Sequence, residues 1–223
     1  MHSHGQNPTN RAGLPGNTVR ELLNDGTENL YFDPINDTTH YKKIIDNFYR
    51  GPSEKVFLLT QRMFGATDTI AMVEYLRDMT DFIDLKSYKR IDDVFFLNKR
   101  KVYMWAITSD GDVAYEITGA DAVSFVPFKE ISGGVDKRHV FYWNLRKGSI
   151  EIIPGANPKT IKVLCPGDEC WNCGGCYFID NKQVFFAHTI VPNADPQTFH
   201  LVTEASIDAA DQHTQYYQGN KVR

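Results

Sequence analysis

The sequence predicts a mainly β protein of the α+β class, in which an antiparallel β-repeat array follows an amino-terminal helical segment. The predicted boundaries are residues 33–90 for the helical segment and residues 91–223 for the repeat domain. Two observations carry this prediction. The period of the apolar residues changes from helical to alternating after Arg90, and short sequence elements recur from there at near-constant spacing. The 11 Tyr and 14 Phe also favour strands, because aromatic rings pack well on a pleated surface.

Residues 1–32 are predicted to form a flexible leader, because Gly and Pro are frequent there and no apolar core of a signal peptide is present. Glu28–Phe32 resembles the protease-recognition stretch of expression tags, although Asp33 stands where that stretch has Gln. A vector origin of this segment would be compatible with removal of a native signal or lipoprotein segment before cloning. The location of the protein then stays open.

Residues 33–90 are predicted to be helical. Ser53 is a candidate cap for a first helix through residues 56–64, which Gly65 would interrupt. Thr67 or Asp68 would cap a second helix. The apolar residues of that second helix advance by three or four positions, as one helical face requires; they are Ile70, Val73, Leu76, Met79 and Ile83. We expect both apolar faces to form core or an interdomain contact.

A decapeptide pattern recurs three times in the repeat domain, beginning at Gly119, Gly155 and Asn193. In each copy an Asp or Asn can cap a one-turn helix, and a Ser or Thr three residues later can bond back to the backbone. A large apolar residue follows and is expected to anchor the turn in the core. Copy by copy, these residues are Asp121, Ser124 and Phe125; Asn157, Thr160 and Ile161; and Asp195, Thr198 and Phe199. Each repeat is therefore predicted to begin with a short capped turn that leads into a strand.

A second element alternates with the first: an Asp or Asn opens a turn, and a bulky apolar strand follows. Its four copies are residues 98–104, 136–142, 180–186 and 211–217. The longest interval separates the second copy from the third and contains all four cysteines. We interpret the cysteine segment, residues 165–176, as an insertion into one repeat.

The two alternating elements resemble the DKNYYY family of bacterial repeat proteins over residues 91–223. The clearest matches are residues 136–142, 180–186, 211–217 and 193–202, whereas the cysteine insertion and Gln215, in place of the usual strand Val, depart from the pattern. The resemblance implies a structural repeat without a transferable catalytic residue. It also implies a bacterial envelope or periplasmic protein, and the position of some members beside secreted toxins suggests an immunity role.

The four cysteines Cys165, Cys170, Cys173 and Cys176 are separated by four, two and two residues. Two overlapping C-x-x-C units can hold tetrahedral zinc or, as a less favoured alternative, an iron–sulfur cluster. Two disulfides in an oxidising compartment fit the same even count; zinc would instead fit the cytoplasm. Both alternatives stay open, and either makes the segment a local staple. His188 is a further candidate ligand with weaker support.

The function predicted from the sequence is non-enzymatic protein binding, and the sharper version is an immunity protein that blocks a toxin. No nucleophile elbow, phosphate loop or His-Glu-x-x-His motif is present. The net charge of −4 argues against nucleic acid, including at residues 99–101, and no apolar run can cross a bilayer. The alternatives are a metal- or redox-dependent enzyme centred on the cysteines and a purely structural envelope repeat protein. Binding is expected to use exposed aromatic residues and carboxylates on one face.

Overall fold

The computed structural model describes residues 18–22, 28–32, 41–64, 71–108, 111–144, 147–165, 176–204 and 206–222. Within these ranges the regular structure is strand, apart from one 3₁₀ turn at Pro52–Glu54. The strands form one two-stranded sheet and five four-stranded antiparallel sheets, in each of which consecutive strands are neighbours. The prediction of a mainly antiparallel β-repeat array is confirmed.

We number the five four-stranded sheets as repeats 1 to 5. The two-stranded sheet, which lies in the predicted leader, contains β1 (Thr18–Leu22) and β2 (Glu28–Phe32). Repeat 1 contains β3 (Lys42–Ile45), β4 (Phe48–Arg50), β5 (Val56–Phe64) and β6 (Ala71–Asp78), and repeat 2 contains β7 (Lys89–Arg90), β8 (Phe95–Asn98), β9 (Lys101–Thr108) and β10 (Gly111–Glu116). Repeat 3 contains β11 (Val126–Pro127), β12 (Gly133–Val135), β13 (Val140–Asn144) and β14 (Ser149–Ile152), and repeat 4 contains β15 (Lys162–Leu164), β16 (Tyr177–Ile179), β17 (Val184–Phe186) and β18 (Thr189–Ile190). Repeat 5 contains β19 (His200–Glu204), β20 (Ile207–Ala210), β21 (Gln215–Tyr217) and β22 (Asn220–Lys221).

The two helices predicted before Arg90 are wrong, because β5 and β6 occupy their positions and pair in register from Phe57↔Asp78 to Phe64↔Ala71. Val56, Phe57 and Leu58 are consecutive and all buried. Such a run is typical of a strand covered on both faces and is not the stripe of an amphipathic helix. Ser53 has a φ of +57°, which a helix cap does not adopt. The predicted cap and break positions at residues 65–68 lie outside the described part of the chain.

The chain divides into two compact units. The first contains residues 1–88 and 105–114, and the second contains residues 89–104 and 115–223. In the first unit, Tyr41, Tyr49, Phe57 and Leu76 form a buried cluster. The rings of Tyr41 and Phe57 meet edge to face with their centroids 5.5 Å apart. Repeat 1 therefore has a core of its own.

In the second unit, the core lies between successive repeats. Val140 and Tyr142 of repeat 3 pack against Phe178 and Phe185 of repeat 4. One repeat further along, Tyr177 and Val184 of repeat 4 pack against Phe199, Ala209 and Tyr216 of repeat 5. Each sheet is thus covered by the next one, which is the packing expected of stacked repeats.

The forward face of a repeat, meaning the face turned toward the next repeat, is more polar in repeat 5 than in repeat 4. The strand register and the backbone hydrogen bonds of the last strands place five residues of each at equivalent positions: Tyr177, Ile179, Val184, Phe186 and Val191 in repeat 4, and Asp208, Ala210, Gln215, Tyr217 and Val222 in repeat 5. Val140 and Val184 are fully buried against the following repeat. Gln215, at the same position in repeat 5, is polar and half-buried.

Candidate functional site

The two repeated motifs lie at the same end of each sheet. Because strand direction alternates in an antiparallel meander, the turn before the first strand and the turn between the second and third strands share one end. We call this the motif end and the opposite one the loop end. The backbone N–H of Asp121, in the capped turn of repeat 3, donates to Oδ2 of Asp136, in the second motif, over 2.8 Å. Asn157 with Asp180 (2.9 Å) and Asp195 with Asp211 (2.9 Å) repeat this bond.

The Asp that opens the second motif is buried and accepts three backbone hydrogen bonds in each of repeats 3 to 5. In repeat 3, Asp136 is 3% exposed, its Oδ2 accepts the N–H of Asp121, and its Oδ1 accepts the N–H groups of Arg138 and His139 at 2.7 Å each. Asp180 and Asp211 accept equivalent sets over 2.7–2.9 Å. These carboxylates are committed to the fold, because a buried backbone N–H needs a partner.

The capped turns are confirmed as hydrogen-bonded turns, but they are not the one-turn helices that the sequence predicted. In repeat 3, the N–H of Phe125 donates to the carbonyl oxygen of Asp121 over 3.0 Å. Asp121 Oδ1 accepts the N–H of Ser124, and the Ser124 hydroxyl accepts the N–H of Lys137 over 3.2 Å. That last bond ties the capped turn to the second motif, and Thr160 and Thr198 make it in repeats 4 and 5. The helical hydrogen bonding ends after one turn because the first strand of the sheet, which is an edge strand, begins directly after it.

A left-handed residue precedes each cap and explains the Gly or Asn that begins the decapeptide. Gly119, Gly155 and Asn193 have φ values of +85°, +79° and +60°. Gly adopts this conformation without steric cost, and Asn tolerates it better than most residues. The β-turn that it permits is closed by a hydrogen bond from the N–H of the following Ala, at positions 120, 156 and 194. The recurring Gly or Asn was visible in the sequence, but its left-handed backbone conformation was not predicted.

An additional copy of the capped turn, missed by the sequence analysis, begins at Asp84. The N–H of Tyr88 donates to the carbonyl oxygen of Asp84 over 2.8 Å, and the Ser87 hydroxyl donates to Asp84 Oδ2 over 2.7 Å. Asp84, Ser87 and Tyr88 have the offsets of Asp121, Ser124 and Phe125. The pattern was therefore present in residues 33–90, which the spacing of the apolar residues had led us to predict as helical.

The buried Asp136 predicts a stability that depends on pH. Burial alone would raise its pKa, but the N–H groups of Asp121, Arg138 and His139 outweigh burial and hold the pKa below its ordinary value. The unfolded chain therefore takes up a proton before the folded chain does. The stability that Asp136 contributes is complete above the ordinary carboxyl pKa of about 4 and is lost as the pH falls through the lowered value.

We expect the wild type to lose more free energy of unfolding between pH 5 and pH 3 than Asp136→Asn does, measured by urea titration at both pH values. Asp211 has a lowered pKa for the same reasons and remains in the variant. The dependence of stability on pH should therefore be weaker in Asp136→Asn but still present. Identical losses in the two proteins would contradict the role assigned to the Asp136 carboxylate.

The cysteine insertion lies at the loop end of repeat 4, between β15 and β16. Of the four predicted ligands, Cys165 and Cys176 are described and their Sγ atoms lie 3.0 Å apart; Cys170 and Cys173 lie outside the described residues. Cys176 is buried and belongs to the core between repeats 3 and 4, against which Cys165 also packs. Among the described residues, no three His, Cys, Asp or Glu side chains group in a way that could hold a metal ion.

His188 lies in a polar cluster with residues of repeat 3. Its Nδ1 is 3.0 Å from the Tyr142 hydroxyl and 3.6 Å from Glu151 Oε2. The imidazole ring of His188 is stacked on the ring of Tyr142. Glu151 Oε1 and Oε2 also accept hydrogen bonds from Lys147 and Asn144, and Lys147 is the main reason that the pKa of Glu151 is lowered. The described contacts of His188 therefore link two repeats and do not support its predicted role as a metal ligand.

The comparison with known proteins rests on the same motifs. The model of the DKNYY family, named above as DKNYYY, matches residues 83–220, which is more than half of the chain. The chain belongs to the DKNYY family. The match begins just before the capped turn at Asp84, earlier than the boundary predicted from the sequence. No curated protein and no solved structure matches the chain.

Membership of the DKNYY family agrees with a β-rich repeat protein. The matched range contains the residues that carry the hydrogen bonds at the motif end. In the described residues, no helix is long and apolar enough to cross a bilayer.

Proposed function

We propose that this DKNYY protein is a non-enzymatic protein-binding module. The observation that carries the proposal is a pair of exposed valines in repeat 3: Val123, in the capped turn (97% exposed), and Val126, at the start of β11 (58% exposed). The equivalent positions in repeats 4 and 5 are Lys159 with Lys162, and Gln197 with His200. Apolar side chains at positions that are otherwise polar have no role in the repeat and fit a contact with another protein.

The use of the buried carboxylates supports a role without catalysis. Asp136, Asp180 and Asp211 each accept three backbone N–H groups, which leaves them unsuited to general acid–base work. The tyrosines with strongly raised pKa values, Tyr142 and Tyr177, owe the change first to burial and donate to neighbouring carboxylates. Tyr177 links repeats 4 and 5 through Asp208, and Tyr142 links repeats 3 and 4 through its contact with His188. An enzyme would need a nucleophile and a base that meet around a substrate.

The test uses the product of the gene adjacent to the one that encodes this chain. We expect the purified proteins to form a complex in calorimetric titration. If the adjacent product is a toxin, as the immunity version of the proposal requires, co-expression should restore the growth that the toxin alone arrests. Binding without growth rescue would remove the immunity version only. No binding by calorimetry would overturn the assignment of this partner, and turnover of a substrate by the purified chain would overturn the non-enzymatic role.

We also propose that the cysteine segment is a local staple, either as a zinc site or as two disulfides. Cys165 and Cys176 occupy the ends of two hydrogen-bonded strands, where a link closes the insertion without disturbing the motif end. Intact mass under denaturing, non-reducing conditions is expected to show either two disulfides, or free thiols together with stoichiometric zinc by metal analysis. Four free thiols without zinc, with stability unchanged after Cys165→Ser and Cys176→Ser, would refute both forms.

A further inference from the structure

The motif end of repeats 3 and 4 carries a strip of exposed side chains that the fold does not use. We define the basic–apolar strip as Val123, Val126, Arg138, Lys159, Lys162 and Lys182, all of which are exposed. Val123 and Lys159 belong to the capped turns, Val126 and Lys162 begin the strands β11 and β15 that follow them, and Arg138 and Lys182 belong to the Asp turns. The neighbouring Lys137 is also exposed and pairs with Asp121 over 2.7 Å.

The two turns of each repeat lie side by side, because hydrogen bonds join them: Lys137 N–H donates to the Ser124 hydroxyl, and Asn181 N–H to the Thr160 hydroxyl. Repeats 3 and 4 pack face to face, with β13 against its equivalent strand β17 and against β16, and Tyr142 of β13 contacts His188 at the loop end of repeat 4. Their motif ends therefore lie on the same side of the array, and the residues of the strip form one surface.

The charge of the strip is opposite to that of the whole chain. The chain has a net charge of −4, yet all four ionisable members of the strip are basic. Of the carboxylates at this end, Asp136 and Asp180 are buried, and Asp121 caps its turn through Oδ1 and is paired with Lys137 through Oδ2. Local positive charge on an acidic protein favours an acidic partner over non-specific binding to polyanions.

We propose that the basic–apolar strip binds an acidic segment of a partner protein, with an apolar side chain of that segment seated on Val123 and Val126. This inference rests on the proposed protein-binding function and names its site. The valines decide between a protein and a nucleic acid, because a phosphate backbone gains nothing from two exposed valines, whereas a peptide can place a leucine there between acidic residues. The sequence analysis expected binding through exposed aromatic residues and carboxylates, whereas the ionisable residues of this strip are basic.

The first experiment measures the fluorescence anisotropy of a labelled peptide with two leucines between two runs of Glu, titrated with the full chain. We expect binding that weakens with added salt. Lys159→Glu combined with Lys162→Glu should weaken it roughly tenfold or more, and Val123→Ser combined with Val126→Ser roughly fivefold. Replacing the leucines of the peptide by Ser should reproduce the loss caused by the valine variant.

Two matched controls separate the strip from general changes of charge or hydrophobicity. Lys129→Glu reverses an exposed charge at the loop end, between β11 and β12, and Ile107→Ser removes an exposed apolar side chain (88% exposed). Both are expected to leave peptide binding unchanged. Equal losses in the controls and in the strip variants would overturn the site, as would the absence of binding at about 1 mM protein.

A second comparison distinguishes failure of this site from failure of the proposed function. If a protein partner binds the chain and keeps its affinity for both double variants, the proposed function stands and the strip is wrong as its site. If labelled single-stranded DNA binds more tightly than the acidic peptide and ignores the valine variant, the ligand is a polyanion and the inference is overturned.

Discussion

Asp136→Ala is expected to lower the free energy of unfolding by about 4 kcal/mol, because three backbone N–H groups lose their acceptor at a buried position. Asp136→Asn should cost less, because an amide oxygen can replace one carboxylate oxygen. Asn98, which is fully buried at the equivalent position of repeat 2, shows that the amide fits. Urea unfolding followed by circular dichroism measures the losses.

The control for this prediction is Lys137→Ala, one residue along the same turn. Lys137 is exposed, and its ion pair with Asp121 is screened by solvent, so the loss should stay below about 1 kcal/mol. A loss for Asp136→Ala no larger than that of the control would show that water, or another side chain, satisfies the three N–H groups.

The second large effect is expected from Phe178→Ala, which should destabilise the protein by about 3 to 5 kcal/mol. Phe178 is fully buried between repeats 3 and 4, where its ring meets Tyr142 edge to face at a centroid distance of 5.9 Å and also contacts Phe128 at 6.2 Å. The substitution leaves a cavity at the junction of two sheets. Thermal and urea unfolding both report the loss.

Tyr217→Ala is the matched control, since Tyr217 is an aromatic residue on the forward face of repeat 5 and is 44% exposed. Its loss should be under about 1 kcal/mol, because few contacts are removed. If Phe178→Ala behaves like this control, repeats 3 and 4 are not coupled through their shared core. A broadened or two-step transition in Phe178→Ala would indicate that the repeats unfold separately.

The repeat motifs were predictable because their chemistry is local. A cap such as Asp121 bonds to groups two and three residues away, so the offsets in the sequence report it directly. The bond from Asp121 to Asp136 spans 15 residues and joins two motifs that the sequence analysis had treated separately. Only the strand register brings them together.

The helices were mispredicted because spacings of three and four also occur by chance in a strand with apolar residues on both faces. Val56, Phe57 and Leu58 are buried one after another, and Leu76 belongs to the same core. Because this segment was predicted to be helical, the capped turn at Asp84 was not recognised. The basic–apolar strip was missed for a different reason: its members are far apart in sequence and share a surface only once equivalent turns are aligned.

The separation of 15 to 23 residues between each buried Asp and the capped turn that it holds has a consequence for synthesis on the ribosome. Each repeat can close its own carboxylate bridge once it has left the exit tunnel, before the following repeat has emerged. Until then, its forward face, such as Tyr177 and Val184 in repeat 4, stays exposed to chaperones. Once repeat 5 has emerged it covers that face and presents Asp208 and Gln215 at the same positions of its own forward face, so a chain whose repeat 5 is still inside the tunnel is more aggregation-prone than the released chain.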